Sequence, residues 1–344
     1  MSPRPAPPDR ARLLALARAI AGRTVAVIGD LVLDRYWVGR SSRISREAPV
    51  LILDFEEERR VPGGAANAAM NLRAMGGKVR LVGRIGIDPA GKDLRRSLRA
   101  HGVASDWLAR DRAMETIVKT RILAGSSHAS RQQIVRLDRG HRAPLPGPAE
   151  RQLVRAASRA IRGADAVLLS DYGYGALGPA VRRAALAAAR GRRRPIVVDS
   201  RYALRSYRGA SLLTPNEHEL AEAYHLPSLE PGALRRAGEA LRRAAAADGV
   251  WITRGSDGMM LVTRGAPTLR LPIVGSSDVA DVTGAGDAVS AAAALALAAG
   301  ATQLEAAVLA TYAASVVVMK RGTATVDAAE LREAIEAHPA PKAR

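Results

Sequence analysis

The 344-residue chain contains no cysteine. Disulfides, thiol nucleophiles and cysteine-ligated zinc are therefore excluded, and a reducing compartment, the cytoplasm, is expected. Aromatic residues make up only 3% of the chain, so the stacking platforms used on single-stranded nucleic acid are scarce. Lysine is also scarce, and arginine carries nearly all of the +19 formal net charge. Such a charge suits a polyanionic partner, but it equally follows from an arginine- and alanine-rich composition spread over a solvated surface. No basic stripe with interleaved aromatics is present, so small acidic substrates are expected and nucleic acid is not. Long apolar runs are lacking too. The longest, 288–299, is short of the ~20 residues that cross a bilayer. Arg12 and Arg18 interrupt the N-terminal one, which reads as a short amphipathic helix after a proline-rich tail rather than as a leader. No membrane partner is expected.

What is present is a globular composition, 48% hydrophobic, enough for a sizeable core. Short β-branched runs at 23–30, 78–86, 164–171, 194–200, 210–216 and 249–255 are nearly continuous in apolar residues, as in a parallel sheet covered on both faces. Helical segments are expected between them, at 65–75, 92–101, 148–162, 179–190, 217–224, 231–247 and 286–299. The alternation predicts one doubly wound α/β domain with helices on both faces of a mostly parallel sheet. Two stretches, 48–64 and 115–138, have strand composition without helices; the second reads as a hairpin around 124–130. Together they predict a small β-sheet beside the main one, a lid. The last residues, 337–344, read as a frayed tail.

The candidate chemistry sits where strands give way to loops or helices, the ligand-binding edge of open α/β sheets. Gly284-Ala285-Gly286-Asp287 opens an alanine-rich helix. A helix N-terminus presents unpaired N–H groups and partial positive charge, and glycine lets a bulky anion approach them. A cradle of this kind with a nearby carboxylate suits phosphoryl transfer, which needs mainly positioning and charge stabilisation. Gly63-Gly64 opens a second small-residue helix with Asn67 inside it, and Gly29–Asp34 ends the first strand with two carboxylates. There is no G-x-x-x-x-G-K-[ST] loop, no H-R-D with D-F-G and no H-E-x-x-H pair. "GRIGID" at 83–88 lacks the dinucleotide fingerprint.

Together, Asp281-Val282-Thr283-Gly284-Ala285-Gly286-Asp287 and Gly63-Gly64-Ala65-Ala66-Asn67 resemble the two signatures of the ribokinase-like, or PfkB, carbohydrate kinases. The resemblance runs from about 23 to 330. Within that family the stretches "GDLVLDRYWVGRSSRISREAPV", "TIVKTRIL", "QQIVRLD" and "LLSDYGYGAL" look like the D-glycero-β-D-manno-heptose-7-phosphate kinases. The resemblance implies a kinase domain at 23–334, with lid segments near 35–62 and 113–138, between a tail and short helix at 1–22 and a tail at 335–344. It implies Asp287 as the base, with Gly284, Ala285 and Gly286 donating amides to the moving phosphoryl group. Asp34, Gly63, Gly64 and Asn67 would hold the sugar, and Arg43, Lys119, Arg121 and Arg136 are candidates for a substrate phosphate. Asn216 and Glu219, an N-x-x-E pair, would organise Mg²⁺ through water. Thr253, Gly255 and Gly258 would contact ATP. Asp281 and Thr283 are candidates for a monovalent cation such as K⁺. Paired lids would form a homodimer. Many bacterial relatives fuse this kinase to a nucleotidyltransferase, and the absence of room after Arg344 implies adenylylation by a separate protein.

The pattern departs in four ways, one of them a loop at 124–130 a few residues longer than usual. Tyr174 stands where a lysine is usual, Asp199-Ser200-Arg201 where Asp-Pro-Lys is usual, and Ser45-Arg46-Glu47 where Ser-Pro-Glu is usual. Arg201 can replace a lysine as a phosphate partner, although the two are not interchangeable at a tightly shaped site. The departures bear on the substrate and leave the kinase chemistry intact. Open alternatives are a kinase of another sugar, sugar phosphate or nucleoside, and a non-catalytic sugar- or nucleic-acid-binding protein.

Overall fold

The computed structural model describes residues 8–125, 131–140, 145, 147–276 and 279–343. The proline-rich tail at 1–7 and residues 126–130 of the expected hairpin loop lie outside them. Elements are numbered along the chain. The main sheet holds β1 (Thr24–Gly29), β4 (Lys78–Val82), β9 (Ala166–Asp171), β10 (Ile196–Ser200), β11 (Leu212–Leu213), β12 (Gly249–Thr253), β13 (Met259–Thr263) and β14 (Leu269–Leu271). Their order is β14-β13-β12-β11-β10-β9-β1-β4. The strands from β4 to β12 are parallel, and β13 and β14 add an antiparallel edge. A second, four-stranded sheet, the lid, has the order β3-β2-β7-β8. It is built from β2 (Leu31–Ile44), β3 (Leu51–Gly64), β7 (Ile117–Gly125) and β8 (Gln132–Arg139). A short ribbon pairs β5 (Arg84–Gly86) with β6 (Ala109–Asp111).

Helices cover both faces of the main sheet. On one lie α1 (Arg10–Ala19), α2 (Ala65–Ala74), α3 (Pro89–Ala100), α8 (Ala285–Ala298), α9 (Gln303–Val317) and α10 (Ala328–Ala337); on the other lie α4 (Gly147–Arg162), α5 (Pro179–Arg190), α6 (Glu217–Tyr224) and α7 (Pro231–Ala244). The period-2 alternation of a strand makes this division. On β1, Val25 and Val27 join the first core while Ala26 and Ile28 join the second. Strand order reverses between β1 and β9, and open α/β sheets bind ligands in the crevice at such a switch point.

The doubly wound sheet and the separate lid are as the sequence predicts. Two helices and the antiparallel edge are not among the expected elements. α9 is buried almost all round, so it carries no apolar stripe to betray a helical period. α10 had a legible signal, the capping box of Asp327 and Glu330. The tail expected at 335–344 is corrected. α10 continues to Ala337 with Ile335 buried, the Tyr312 hydroxyl donates to the His338 carbonyl at 3.1 Å, and Pro341 is buried. Small apolar residues there cover α9 instead of fraying. No helix among the described residues is long and apolar enough to cross a membrane.

Gly29 is where β1 hands the chain to the crevice. A methyl group there would run into the Ser170 carbonyl oxygen of β9 and the Ala65 side chain. Gly29→Ala is expected to lower the unfolding free energy by about 1–3 kcal/mol, the usual range for overpacking, measured by urea denaturation.

Candidate active site

α2 and α8 pack side by side with their N-termini at the crevice. Each is capped by a glycine with positive φ, Gly64 at 59° and Gly284 at 86°. A side chain at Gly284 would strike the Asn67 amide, so the two helix starts meet only because that residue is glycine. At Gly286 an added Cβ would meet nothing within 4 Å. The first turn of α8 therefore presents open backbone to the crevice, and by position its leading N–H groups lack intrahelical acceptors.

Asp287 lies in that first turn, only 5% exposed. The Asn67 amide donates to its Oδ2 at 2.8 Å and the Tyr172 hydroxyl to its Oδ1 at 2.9 Å. Burial pushes its pKa up to about 7, against the two hydrogen bonds and the charge of Lys119; the charge of Asp34 adds to the rise. A carboxyl poised there exchanges a proton readily at neutral pH. Its partners are themselves held. Asn71 donates to the Asn67 side-chain oxygen at 3.3 Å, which leaves the Asn67 NH₂ facing Asp287. Asp30 accepts from the backbone N–H groups of Tyr174 and Ala176 at 2.9 and 2.8 Å, pinning the loop that carries Tyr172. Burial raises the Asp30 carboxyl to about 6.

The two carboxylates of the Gly29–Asp34 stretch thus separate: Asp30 anchors a loop, whereas Asp34 faces the crevice from β2. Asp34 receives the Arg121 guanidinium on Oδ1 at 2.5 Å and the Thr323 hydroxyl on Oδ2 at 3.0 Å. Gly63 lies against it; a Cβ there would collide with the Asp34 carboxylate. Lys119 pairs across from Asp34 in the lid. Its ammonium is buried and lies 5.4 Å from the Tyr172 ring centre and 5.6 Å from that of Tyr174. Burial lowers its pKa, opposed by the charge of Asp34. Arg136 stands opposite Arg121 but is half exposed and bonded to Asp138 at 2.9 Å. Arg43 is a correction. It sits at the exposed far end of β2, nine residues past Asp34, which is roughly 30 Å of strand, and it does not join the cluster in its own chain.

Along the same crevice, Asn216 and Glu219 form a reciprocal cap on α6. Asn216 N–H donates to Glu219 Oε2 at 2.9 Å, and Glu219 N–H donates to Asn216 Oδ1 at 2.8 Å. Thr253 bridges to Asn216. Gly255 and Gly258 follow in a tight turn, both with positive φ, and Arg254 pairs with Glu217 at 3.1 Å. Burial raises the Glu219 carboxyl, and Asp199 is raised well up by burial and by the charges of Glu219 and Asp287. Arg201 is the compensating cation for both. The Asp281 carboxylate accepts from Thr283 N–H and Gly322 N–H, each at 2.9 Å. Burial works against that charge, but these hydrogen bonds hold its carboxyl below the ordinary range.

Between the lid and the 279–283 and 321–323 segments lies a cleft of about 670 Å³, lined in part by Tyr36, Arg59, Arg121, Arg131, Arg321 and Thr323. Sequence reasoning missed Tyr172, Thr323, Arg59, Arg131 and Arg321. Tyr172 had a weak signal, a polar residue just past a buried strand, beside the Tyr174 that drew notice. Thr323 lies in the stretch "GTATVDAAEL", which also resembles the heptose kinases, but its contact with Asp34 had no signal, since the two are 289 residues apart.

Because folding raises the Asp287 pKa, the folded chain holds that proton more tightly than the unfolded chain does. Its contribution is full below about 4, the ordinary carboxyl value, and is lost as pH rises through about 7. Relative to the parent, Asp287→Asn should gain up to ~4 kcal/mol between pH 4 and 7 and nothing further above, measured by denaturant titration across pH. A stability difference that does not change over that window would mean the carboxyl is not perturbed.

The profile of the pfkB family carbohydrate kinases matches residues 23–329. The chain is 45% identical over 315 residues to the bifunctional protein HldE of Azorhizobium caulinodans, covering 91% of this chain and 64% of that protein. It is 43% identical over 318 residues to the bifunctional protein HldE of Caulobacter vibrioides, covering 92% and 64%. The chain thus spans just under two thirds of the length of these curated relatives. Among solved structures it resembles Arabidopsis thaliana ribokinase complexed with ribose and ATP, with a TM-score of 0.70, 21% identity and coverage of 92% of this chain and 99% of that one. It also resembles Escherichia coli phosphofructokinase-2 in complex with potassium, with a TM-score of 0.71, 18% identity and the same coverage. With a family profile spanning nearly the whole chain and two glycine-capped helix starts enclosing Asp287, the chain belongs to the pfkB family of carbohydrate kinases.

Proposed function

We infer that the protein is an ATP-dependent kinase that phosphorylates the anomeric O1 of D-glycero-β-D-manno-heptose 7-phosphate, giving the 1,7-bisphosphate. The observation that carries the chemistry is the buried Asp287 carboxyl at the start of α8, next to open backbone at Gly286. Asp287, ionised above its raised pKa of about 7, takes the O1 proton as the oxygen attacks the γ-phosphorus. The N–H groups of Gly284, Ala285 and Gly286 stabilise the charge on the transferring phosphoryl oxygens. Asn67 and Tyr172 hold the carboxylate in its rotamer. Asp34, with Gly63 and Gly64 beside it, receives sugar hydroxyls. Thr253, Gly255 and Gly258 flank the nucleotide. The heptose assignment draws support from the stretches that look like the D-glycero-β-D-manno-heptose-7-phosphate kinases, and the chain is similar to proteins named bifunctional HldE over 64% of their length.

A hydrated magnesium ion fits the nucleotide end. Among the described residues no three acidic or imidazole groups converge there, but Mg²⁺ held mostly by water needs few protein ligands. Glu219 and the strongly desolvated Asp199 would supply the negative charge it neutralises, and the Asn216 amide oxygen an acceptor for its waters. Bound there, it offsets charge on the nucleotide phosphates. Asp281 and Thr283 flank a site for a monovalent cation beside the cradle. The lid exposes Ile44, Leu51, Phe55, Ile134 and Leu137, Phe55 to 68%. An apolar face of that kind supports pairing of two lids in a homodimer. The cysteine-free chain suits the cytoplasm.

Asp287→Asn should keep the fold and lower turnover by about 10²–10⁴-fold. For the parent, kcat/KM should rise with pH through about 7 and level off above; near-parental turnover in the variant would remove Asp287 from the reaction. Measured as ADP release over a panel of sugars, sugar phosphates and nucleosides, the heptose 7-phosphate should give the highest kcat/KM. A non-phosphorylated sugar outperforming every sugar phosphate would sink the heptose assignment.

A further inference from the structure

Both oxygens of the sugar-facing Asp34 carboxylate are already taken. Arg121 Nη1 donates to one, and the Thr323 hydroxyl donates to the other at 3.0 Å. The pair is nearly dry, with side-chain exposures of 13% for Arg121 and 6% for Asp34. Thr323 is locked in turn, because its N–H donates to the Tyr36 hydroxyl at 3.0 Å while that hydroxyl lies 2.9 Å from its own Oγ1. The Arg121 guanidinium rests 5.3 Å from the Tyr36 ring centre. A sugar hydroxyl that takes the Asp34 oxygen now bonded to Arg121 competes with the guanidinium for it, and a buried Arg121 that loses this partner is costly unless another anion replaces it.

The surroundings supply a place for that anion. Arg121 lines the cleft of about 670 Å³ with Arg59, Arg131 and Arg321, while its lining carboxylate, Asp281, is occupied by two backbone N–H groups. Arg59 and Arg131 are balanced by Glu57 and Glu56 at 2.8 and 2.9 Å. Arg321 is exposed at the cleft and forms no ion pair among the described residues. A dianionic phosphate at the far end of a sugar is matched to a guanidinium released beside Arg321, since guanidinium takes phosphate in a bidentate fork.

We propose that Arg121 is an exchangeable latch that makes the site selective for phosphorylated sugars: in the empty cleft it occupies Asp34, and it releases Asp34 to the sugar hydroxyls only when the substrate's distal phosphate takes the guanidinium. An unphosphorylated sugar competes with the Arg121–Asp34 pair and strands the cation. The phosphate thus acts twice, by binding Arg121 and by unmasking Asp34. This inference rests on the sugar-phosphate reading above and assigns how that site discriminates.

The test is steady-state kinetics of the parent and Arg121→Met on D-glycero-β-D-manno-heptose 7-phosphate and on the same heptose without its phosphate, with Arg121→Lys and Thr323→Val alongside. For Arg121→Met, kcat/KM on the heptose 7-phosphate should fall by about 10²-fold, as when one partner of a buried charge pair is truncated. On the unphosphorylated heptose it should rise by about tenfold, because Asp34 is freed of a competing partner. Arg121→Lys, which keeps the charge but loses the bidentate fork, should recover only part of the discrimination. Thr323→Val, which leaves the latch closed, should not raise activity on the unphosphorylated heptose. If Arg121→Met leaves that activity unchanged, Arg121 only binds phosphate and the exchange is wrong. If both substrates suffer equally, its role is structural and the exchange is again wrong. Those outcomes are distinct from failure of the sugar-phosphate reading, which would show in the parent as a preference for the unphosphorylated sugar.

Discussion

A single buried carboxylate organises this molecule. Asp287 lies in the first turn of α8, its two oxygens held by Asn67 and Tyr172. Isolating such a charge from water is costly, and the surrounding architecture offsets that cost. Two helix N-termini point at the crevice, Lys119 adds a nearby cation, and Asp30 pins the loop that brings Tyr172. The compensation is partial, so the carboxyl stays protonatable near neutrality. That residual instability is what makes it a competent acceptor of a proton.

The lid is continuous with this centre. β2 carries Asp34, and β3 ends in Gly63-Gly64, which opens α2. Any movement of these two strands therefore reaches the Asp34 carboxylate and the Asn67 helix through the backbone. Thr323, on the segment between α9 and α10, ties the same carboxylate to the main body. Lid and body meet at Asp34, where the shortest ion pair of the cleft arginines also lies. The arginine-rich composition has a local meaning here, since several guanidinia gather on one cleft. Most other arginines pair with surface acids or face solvent, where a large net charge serves solubility more than recognition.

Much of this was readable along the chain. The doubly wound sheet follows from short apolar strands alternating with helices. The open helix start follows from Gly284-Ala285-Gly286 before Asp287, because glycine there lets other groups approach the backbone closely. The reciprocal cap of Asn216 and Glu219 follows from their spacing alone. These are local facts, set by backbone conformation and by period, and neighbouring residues suffice to express them. α9 escaped notice for the complementary reason: a helix buried on all sides has no polar face and so no pattern.

The tertiary structure decided which side chains meet. Nothing in the order of residues brings Thr323 or Arg121 to Asp34, Tyr172 to Asp287, or Asn71 to the amide that orients Asn67. It also separated residues that look equivalent in sequence. Asp30 became a loop anchor while Asp34 became a cleft residue, and Arg43 went to the outer end of the lid while Arg121 went to its root. The physical reason is distance. Propensity and periodicity act over a few residues, whereas burial, proton affinity and ion pairing depend on groups that only chain reversal across the sheet and lid can bring within a few ångströms.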